Sequence, residues 1–213
     1  MDFILLAMNQ LINMAAKMKY MYGGSVSVPM VVRGIIGRSW GQGPQHSKTT
    51  HSALAHFPGL KVVLPSNVQD AYSLLRSAIQ EDNPVIFYEH RWLYDIEGEV
   101  EDEKIVPLGK CAIQRPGKDL TIIASSWMSV EAEQAARILS ENSVEVEIID
   151  VRTITPLDSE TTITSVNKTG HVIIADNDWT FCGFAAELSA QIVESCFENL
   201  KSAPVRIGFA PVP

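Results

Sequence analysis

The feature that most limits the folds open to this chain is a regular alternation of short β-branched runs with longer segments of helical periodicity. Strands are predicted at residues 29–33, 60–64, 85–88, 120–124, 144–151, 171–175 and 205–207. Helices are predicted at about 48–56, 67–81, 129–142, 157–168 and 182–199. Because strands that alternate with helices are typical of βα units, the sequence predicts an α/β fold with parallel sheets.

An acidic segment, DIEGEVEDEK at 95–104, has no periodic apolar stripe and separates two halves of this pattern. We therefore expect two parallel-sheet βα domains, at residues 1–94 and 118–213, with a linker at 95–117. Ser66 and Gln69 resemble a capping box for the helix at 67–81, and Thr155-Pro156 resembles the start of the helix at 157–168. Apolar residues at helical spacing predict a buried helix over about residues 1–21.

The charge of the chain limits the partners that it can bind, and its cysteines indicate the cell compartment in which it resides. The net charge of −8 comes without a basic stripe, which disfavours a nucleic acid or an anionic membrane as partner. The three cysteines, Cys111, Cys182 and Cys196, are far apart and lack metal-ligand spacing, so neither a disulfide framework nor a zinc site is expected. No cleavage site follows the apolar start of the chain, so a secretory signal is not predicted. A cytoplasmic location fits these observations best.

One loop stands out as a candidate ligand site. The run at 31–36 opens into a glycine-punctuated loop that presents Gln45, His46 and Ser47. Loops at the carboxyl ends of parallel strands are where open α/β sheets bind ligands. From the loop alone, His46 is either an ordinary loop histidine or a functional one. The remaining histidines have no metal-ligand spacing and are interpreted as structural: His51, His56, His90 and His171.

Seven blocks along the chain carry a resemblance to a known family. They are DFILLAMNQLIN (2–13), VVRG (31–34), GPQHS (43–47), FPGLKVVLPSN (57–67), AIQEDNPVIFYEHRWLY (78–94), IIDVRTITPLD (148–158) and WTFCGFAAE (179–187). In this order the chain resembles the β subunit of the thiamine-diphosphate-dependent decarboxylating component of 2-oxoacid dehydrogenases, of the pyruvate, branched-chain or acetoin type. The resemblance implies the C-terminal part of a transketolase-like pyrimidine-binding domain followed by a transketolase C-terminal domain.

The resemblance also implies an active site shared with an α subunit. No GDG motif with a following metal-ligating asparagine occurs in these 213 residues, so the cofactor's diphosphate and its magnesium are expected on that partner. The lipoyl acyltransferase core is the second partner that the family implies. The apolar first helix further predicts a homodimer when the chain is alone.

Individual residues match family positions. Phe3 matches the phenylalanine that packs on the aminopyrimidine ring, although it could equally fill the core. His46 matches the histidine that faces the thiazolium and the 2-oxoacid, where an imidazole can bind the carboxylate or move a proton during acyl transfer to lipoamide. A potassium-binding loop of some relatives is matched by Met30, Ala78, Ile79, Glu81 and Asn83. Glu81 stands where aspartate is usual, and the stretch is otherwise a helix end stopped by Asn83-Pro84.

Two departures from the family keep other interpretations open. The family glutamate that activates the cofactor lies upstream of the block at residue 2, and the segment that completes the second domain lies beyond residue 213. The chain therefore resembles a family member truncated at both ends and is not expected to be active alone. The alternatives are a catalytically silent fragment or paralogue that serves subunit assembly, and a piece of a transketolase or deoxyxylulose-phosphate synthase.

Overall fold

Two β-sheets organise the chain in a computed structural model that describes residues 2–38 and 41–212. Over these residues the strands are β1 (Val31–Ile36), β2 (Lys61–Val63), β3 (Val85–His90), β4 (Ala112–Arg115), β5 (Leu120–Ala124), β6 (Val146–Asp150), β7 (Thr153–Thr155), β8 (Val172–Trp179) and β9 (Val205–Phe209). The helices are α1 (Ala16–Met21), α2 (His51–Ala55), α3 (Val68–Ile79), α4 (Trp127–Ser140), α5 (Ser159–Thr169) and α6 (Phe184–Cys196).

The first sheet has the strand order β1-β3-β2-β7. Its first three strands are parallel, and β7 pairs with β2 in the antiparallel direction. The strand β3 is buried along almost its whole length, as expected for a central parallel strand with few polar residues. Its side chains pack with α3 and with a later residue, Val106, in a core that includes Val63, Leu74 and Phe87.

The second sheet has the strand order β4-β6-β5-β8-β9. The strands β6, β5, β8 and β9 are parallel, and β4 is an antiparallel edge strand. Ile122, Ile148 and Val146 meet Ala132 and Ala136 of α4 in the core of this sheet. Small residues on α4 allow the helix to approach the β-branched sheet face closely. The predicted fold class, two α/β domains with largely parallel sheets, is thus confirmed.

The chain divides into two units that are not continuous in sequence. The first unit contains the residues up to Gly109 together with Thr153–Pro156, and the second contains Lys110–Arg152 and the residues from Leu157 onwards. The acidic half of the predicted linker therefore lies in the first unit, and the chain from there to Val106 runs alongside α3. Ser73 Oγ of α3 donates a hydrogen bond to the Lys104 carbonyl oxygen at 2.7 Å, and Ser77 Oγ donates one to the Val106 carbonyl oxygen at 2.6 Å.

All seven predicted strands are present, but β4 and β7 were not predicted. Both are short antiparallel strands, and neither contains the continuous apolar run that marks the buried parallel strands. Their sequences, AIQR and TIT, are only four and three residues long, which is too short to show a strand pattern.

The N-terminal helical segment differs from its prediction. It runs from Asp2 to Met21 through a 3-10 stretch, a π-helical stretch and α1, but Leu11, Ala15 and Ala16 are the residues it buries. Many of its other apolar side chains are exposed, so the prediction of a buried helix is wrong in this chain. The physical reason is that apolar side chains surround the helix, whereas the first unit covers only one side of it.

Both predicted helix caps are also displaced. The N-cap of α3 is Asn67, whose side chain accepts a hydrogen bond from the Asp70 N–H at 2.9 Å, and not Ser66. The N-cap of α5 is Asp158, three residues after Thr155. Asx side chains cap at least as well as Ser or Thr, and each lies closer to its helix. In the part of the chain that the structure describes, no helix combines the length and the hydropathy that a membrane span requires.

Candidate functional site

The parallel strands of the first sheet place two sets of predicted site residues at opposite edges. β1, β2 and β3 all run in one direction, so the loops that follow Ile36, Val63 and His90 leave at the same edge. Ligands of open α/β sheets bind at this carboxyl edge. The loop that carries His46 leaves from it, whereas the predicted potassium loop lies at the amino edge, where β1 and β3 begin.

His46 ends a 3-10 turn, Pro44–His46, in the loop between β1 and α2. Gly43 precedes this turn with φ of 73°, a conformation that residues other than glycine adopt rarely. The His46 N–H donates to the Gly43 carbonyl oxygen at 3.3 Å, which fixes the backbone of the turn. The imidazole is exposed, so a ligand or a partner can reach it. Ser39 and Trp40 of the same loop lie outside the described residues.

Phe3 lies in the 3-10 stretch at the start of the N-terminal helical segment, and its side chain is 75% exposed. The structure therefore does not support the interpretation of Phe3 as a core residue of this chain. An exposed phenyl ring can stack on a flat heterocycle or pack into the surface of a partner.

At the amino edge, backbone hydrogen bonds connect the segment that contains Met30 with residues 82–85. The Met30 carbonyl oxygen accepts a hydrogen bond from Val85 N–H at 2.9 Å, and the Asp82 carbonyl accepts one from Val28 N–H at 3.0 Å. These bonds hold the end of α3 and its following turn beside the start of β1. A backbone carbonyl oxygen that accepts one hydrogen bond keeps a second lone pair, with which it can accept a further contact.

The carboxylate of Glu81 is already engaged at this edge. Asn83 Nδ2 donates to Glu81 Oε1 at 2.8 Å, and Lys61 Nζ forms an ion pair with Oε2. Burial would raise the pKa of Glu81, but the hydrogen bonds from Lys61 and Asn83 outweigh burial and lower it. Glu81 is therefore ionised at neutral pH and supplies a negative charge beside the carbonyl oxygens.

The sequence interpretation missed a charged pair at the carboxyl edge of the sheet. Arg33 Nη2 lies 2.8 Å from both Oε1 and Oε2 of Glu89, and the Glu89 side chain is 15% exposed. Arg33 belongs to β1 and Glu89 to β3, one residue before the end of that strand. The signal available in the sequence was one charge of each sign within two otherwise apolar runs that pair in parallel.

His90, which is interpreted as structural from the sequence, is the last residue of β3. Its side chain is buried, and its Nδ1 accepts a hydrogen bond from Trp92 N–H at 3.3 Å. Burial lowers the pKa of His90 to about 4, so the ring is neutral at physiological pH. The interpretation of His90 as a structural residue agrees with this environment.

The second unit has polar residues at the carboxyl edge of its own sheet. Ser125 Oγ, after β5, donates to Asp176 Oδ1 at 3.0 Å, and Asn177 Nδ2 donates to the Ser125 carbonyl oxygen at 3.0 Å. At the end of β6, Asp150 Oδ1 accepts a hydrogen bond from Ser129 Oγ at 3.1 Å. These buried groups satisfy one another, which fixes the ends of three neighbouring strands.

Comparison with known domain families covers nearly the whole chain. Residues 1–96 match the transketolase pyrimidine-binding domain, and residues 109–213 match the transketolase C-terminal domain. A solved structure described as "Split gene transketolase, inactive beta4 tetramer" aligns with 99% of this chain and 65% of its own chain, with a TM-score of 0.78 and 20% sequence identity. At this identity the likeness shows the fold alone.

Curated relatives are closer in sequence. The chain is 40% identical over 94% of its length to the acetoin:2,6-dichlorophenolindophenol oxidoreductase subunit beta of Cupriavidus necator, and it covers 60% of that protein. It is 42% identical over its full length to the mitochondrial pyruvate dehydrogenase E1 component subunit beta-2 of Oryza sativa, of which it covers 58%. It is 40% identical over its full length to the human E1 subunit beta, of which it covers 61%.

The chain thus spans about three fifths of the length of these relatives. Both domain types, their order and the sequence identity of 40–42%, measured over nearly the whole chain, agree with one another. The chain therefore carries a transketolase pyrimidine-binding domain followed by a transketolase C-terminal domain, and over nearly its whole length it is similar to β subunits of pyruvate dehydrogenase and of acetoin:2,6-dichlorophenolindophenol oxidoreductase.

Proposed function

We propose that this chain acts as the β-subunit part of a thiamine-diphosphate-dependent 2-oxoacid dehydrogenase, which decarboxylates a 2-oxoacid oxidatively and transfers the acyl group to lipoamide. The observation that carries the proposal is the identity of 40% or more, over nearly the whole chain, to β subunits of pyruvate dehydrogenase and of acetoin oxidoreductase. The exposed His46 on a loop at the carboxyl edge of a parallel sheet is consistent with this role.

The proposed site is shared with an α subunit. Thiamine diphosphate, held there with magnesium by the α subunit, supplies the carbanion-stabilising chemistry that decarboxylation requires. Phe3 offers an exposed aromatic face for the aminopyrimidine ring, and its exposure fits this role. His46 is the proposed catalytic residue, because an accessible imidazole can bind the substrate carboxylate or move a proton.

Reconstitution tests the proposal directly. The chain is mixed with an α subunit from the same genome, magnesium and thiamine diphosphate, and cofactor binding is measured by calorimetry. Reduction of 2,6-dichlorophenolindophenol then reports the oxidation of pyruvate, of a branched-chain 2-oxoacid or of acetoin. We expect cofactor binding and turnover only in the mixture. Neither binding nor turnover in the mixture would support the alternative of a catalytically silent assembly subunit, and turnover by the chain alone would contradict a shared site.

Two matched pairs of variants assign the residue roles. His46→Gln is expected to lower kcat at least about 100-fold, the usual effect of losing an acid–base residue, whereas His56→Gln, at another exposed histidine of the first unit, leaves kcat unchanged. Phe3→Ala is expected to weaken cofactor binding by up to about tenfold, because one aromatic contact contributes about 0.5–1.5 kcal/mol. Phe197→Ala, at a phenylalanine of the second unit that is 74% exposed and lies outside the N-terminal helical segment, is its control. Equal effects within either pair would contradict the assignment.

We further propose that the amino edge of the first sheet binds potassium. The carbonyl oxygens of Met30, Ala78 and Ile79 are the proposed ligands, with oxygens of Glu81 and Asn83. Because Lys61 and Asn83 already occupy the Glu81 carboxylate, the ion is held chiefly by backbone oxygens, and its affinity should be low. Potassium chloride is expected to raise the thermal midpoint of the chain relative to choline chloride at equal ionic strength. Equal midpoints would contradict the site.

Assembly follows from the exposed apolar side chains of the N-terminal helical segment. Phe3, Leu6, Tyr20 and Met21 are all exposed, and surfaces of this kind bind partners. We propose that they contact the α subunit in the complex and a second copy of the chain when it is alone. A homodimer is expected in sedimentation at micromolar concentration, and a monomer would contradict it.

Two further proposals concern the lipoyl acyltransferase core and the compartment. Pull-down of that core by the chain together with its α subunit, but not by the α subunit alone, tests the first. The proposed cytoplasmic location rests on three free cysteines, whereas the rice and human relatives carry mitochondrial names. Fractionation of the source cells decides between the two compartments.

A further inference from the structure

A cavity of about 190 Å³ lies within the first unit, beside the carboxyl ends of β2 and β3. Its apolar wall consists of Pro65, which follows β2, Val68 and Ala71 on the first two turns of α3, and Leu93 and Ile96 in the segment after β3. Neither Phe3 nor His46 lines it. The cavity is therefore a concave, largely apolar site at the sheet edge where α/β proteins bind ligands, and it is separate from the residues proposed to act on the 2-oxoacid.

One end of the cavity is polar. Glu89 and Tyr94 both line it, and both carboxylate oxygens of Glu89 lie 2.8 Å from Arg33 Nη2. A carboxylate has about four acceptor positions, and the two contacts from Arg33 with the hydrogen bond from the Tyr94 hydroxyl leave Glu89 about one position for a further donor. Arg33 offsets the charge of Glu89, which reduces the attraction for a cation, while Glu89 still repels a carboxylate. This end therefore favours a neutral donor such as a hydroxyl group.

The wall formed by the segment after β3 is held in place by its own contacts. Tyr94 N–H donates to the Arg91 carbonyl at 3.1 Å, and Ile96 N–H donates to Leu93 at 3.2 Å. Further along, Glu101 N–H donates to Oε1 of Gln69 on α3 at 2.7 Å. The first two bonds fold the segment into local turns, and the third ties it to α3. The site is thus formed before a ligand arrives, which lowers the entropic cost of binding.

The volume sets the size of the ligand. At roughly 30 Å³ for each water-sized group, the cavity holds about six non-hydrogen atoms. We propose that this cavity binds a short branched aliphatic alcohol, with its hydrocarbon part against Val68, Ala71 and Leu93 and its hydroxyl group donating to Glu89. The inference does not depend on the proposed function, because it concerns residues of the first unit alone.

Methyl NMR on the full chain tests the proposal with 3-methylbutan-1-ol as the probe and 3-methylbutanoate, which has the same carbon skeleton, as its control. The methyl signals of Val68, Ala71, Leu93 and Ile96 are expected to shift saturably with the alcohol, with a dissociation constant of about 1–10 mM for a ligand of this size. The carboxylate is expected to bind at least about tenfold more weakly. No saturable shift, or equal affinity for the two probes, would overturn the proposal.

Two variants keep the test independent of folding. Ala71→Met fills the cavity and is expected to abolish binding, whereas Ala135→Met, on α4 of the second unit, leaves it unchanged. Glu89→Gln keeps the side-chain shape and an acceptor oxygen but removes the charge, so the preference for the alcohol over the carboxylate should shrink to less than about threefold. Undiminished binding by folded Ala71→Met, or an unchanged preference in Glu89→Gln, would refute the site even if the other variant failed to fold.

Discussion

Burial of His90 should make this chain lose stability in mildly acidic solution. Its side chain is 3% exposed, and burial lowers its pKa from 6.5 to about 4. Between these two values the unfolded chain binds a proton that the folded chain excludes, so the free energy of unfolding falls as the pH falls through this window. Above pH 6.5 His90 is neutral in both states, and below pH 4 it is protonated in both. Its contribution to the free energy of unfolding therefore changes only within this window, and the stability lost there is not regained below pH 4.

The size of the effect follows from the two pKa values. A factor of ten in proton affinity is worth about 1.4 kcal/mol, so excluding the proton costs about 2.5 kcal/mol at pH 4.5 and almost nothing at pH 7.5. Urea unfolding at these two pH values, followed by tryptophan fluorescence, measures the loss. Trp92 lies 6.3 Å from the His90 ring, centroid to centroid, and so reports on this part of the first unit.

A variant isolates His90 from the other groups that titrate. His90→Gln retains an acceptor for the Trp92 N–H but cannot be protonated, so its stability should fall by about 2.5 kcal/mol less than that of the natural chain over the same pH interval. His56→Gln removes an exposed histidine and should leave the pH dependence unchanged. If His90→Gln and the natural chain lost the same free energy between pH 7.5 and pH 4.5, the reasoning from burial would be refuted.

Three further predictions concern packing and can be measured by the same urea unfolding at pH 7.5. Leu74→Ala, in the core of the first unit, should cost about 2–5 kcal/mol, whereas Ile79→Ala at the exposed end of the same helix should cost less than about 0.5 kcal/mol. Gly117→Ala should cost about 1–3 kcal/mol, because a Cβ there would lie 2.2 Å from backbone atoms of the neighbouring strand. Gly98→Ala is the control, since the atom nearest to its Cβ would be a side-chain carbon at 3.4 Å. Equal costs for the two variants would contradict this reasoning. Ser77→Ala, which removes the hydrogen bond to the segment along α3, should cost about 1 kcal/mol, and no change would mean that the segment is held by its apolar contacts alone.

Local sequence patterns predicted the parallel strands because burial on both faces requires continuous apolar runs. The run VIFYEH of β3 contains four fully buried residues in succession, and this signal is visible without any knowledge of the fold. By contrast, β7 is a strand only because it pairs with β2, more than 80 residues earlier in the chain. Pairing over such a separation leaves no local pattern, so a single sequence could not predict it.

In the candidate site, too, features with a local sequence pattern could be predicted, and features that depend on contacts between distant residues could not. The glycines after the first strand predicted a sharply turning loop that carries His46, and Gly41 and Gly43 there do have positive φ, whereas the role of His46 stays a prediction. The pairing of Arg33 with Glu89 depends on the register of β1 against β3, which the sequence does not specify. The exposure of Phe3 could not be predicted either, since an apolar helical pattern does not distinguish a core helix from one that packs against another subunit.

The position of β7 in the sequence decides when the first sheet can be completed during synthesis of the chain. The first unit takes residues up to Gly109 and then Thr153–Pro156, so most of the first half of the second unit emerges from the ribosome before the last strand of the first sheet does. Until then β2 is an open edge with unpaired backbone groups. A piece that ends at Gly109 would lack the fourth strand of the first sheet and would keep β2 as an uncovered edge.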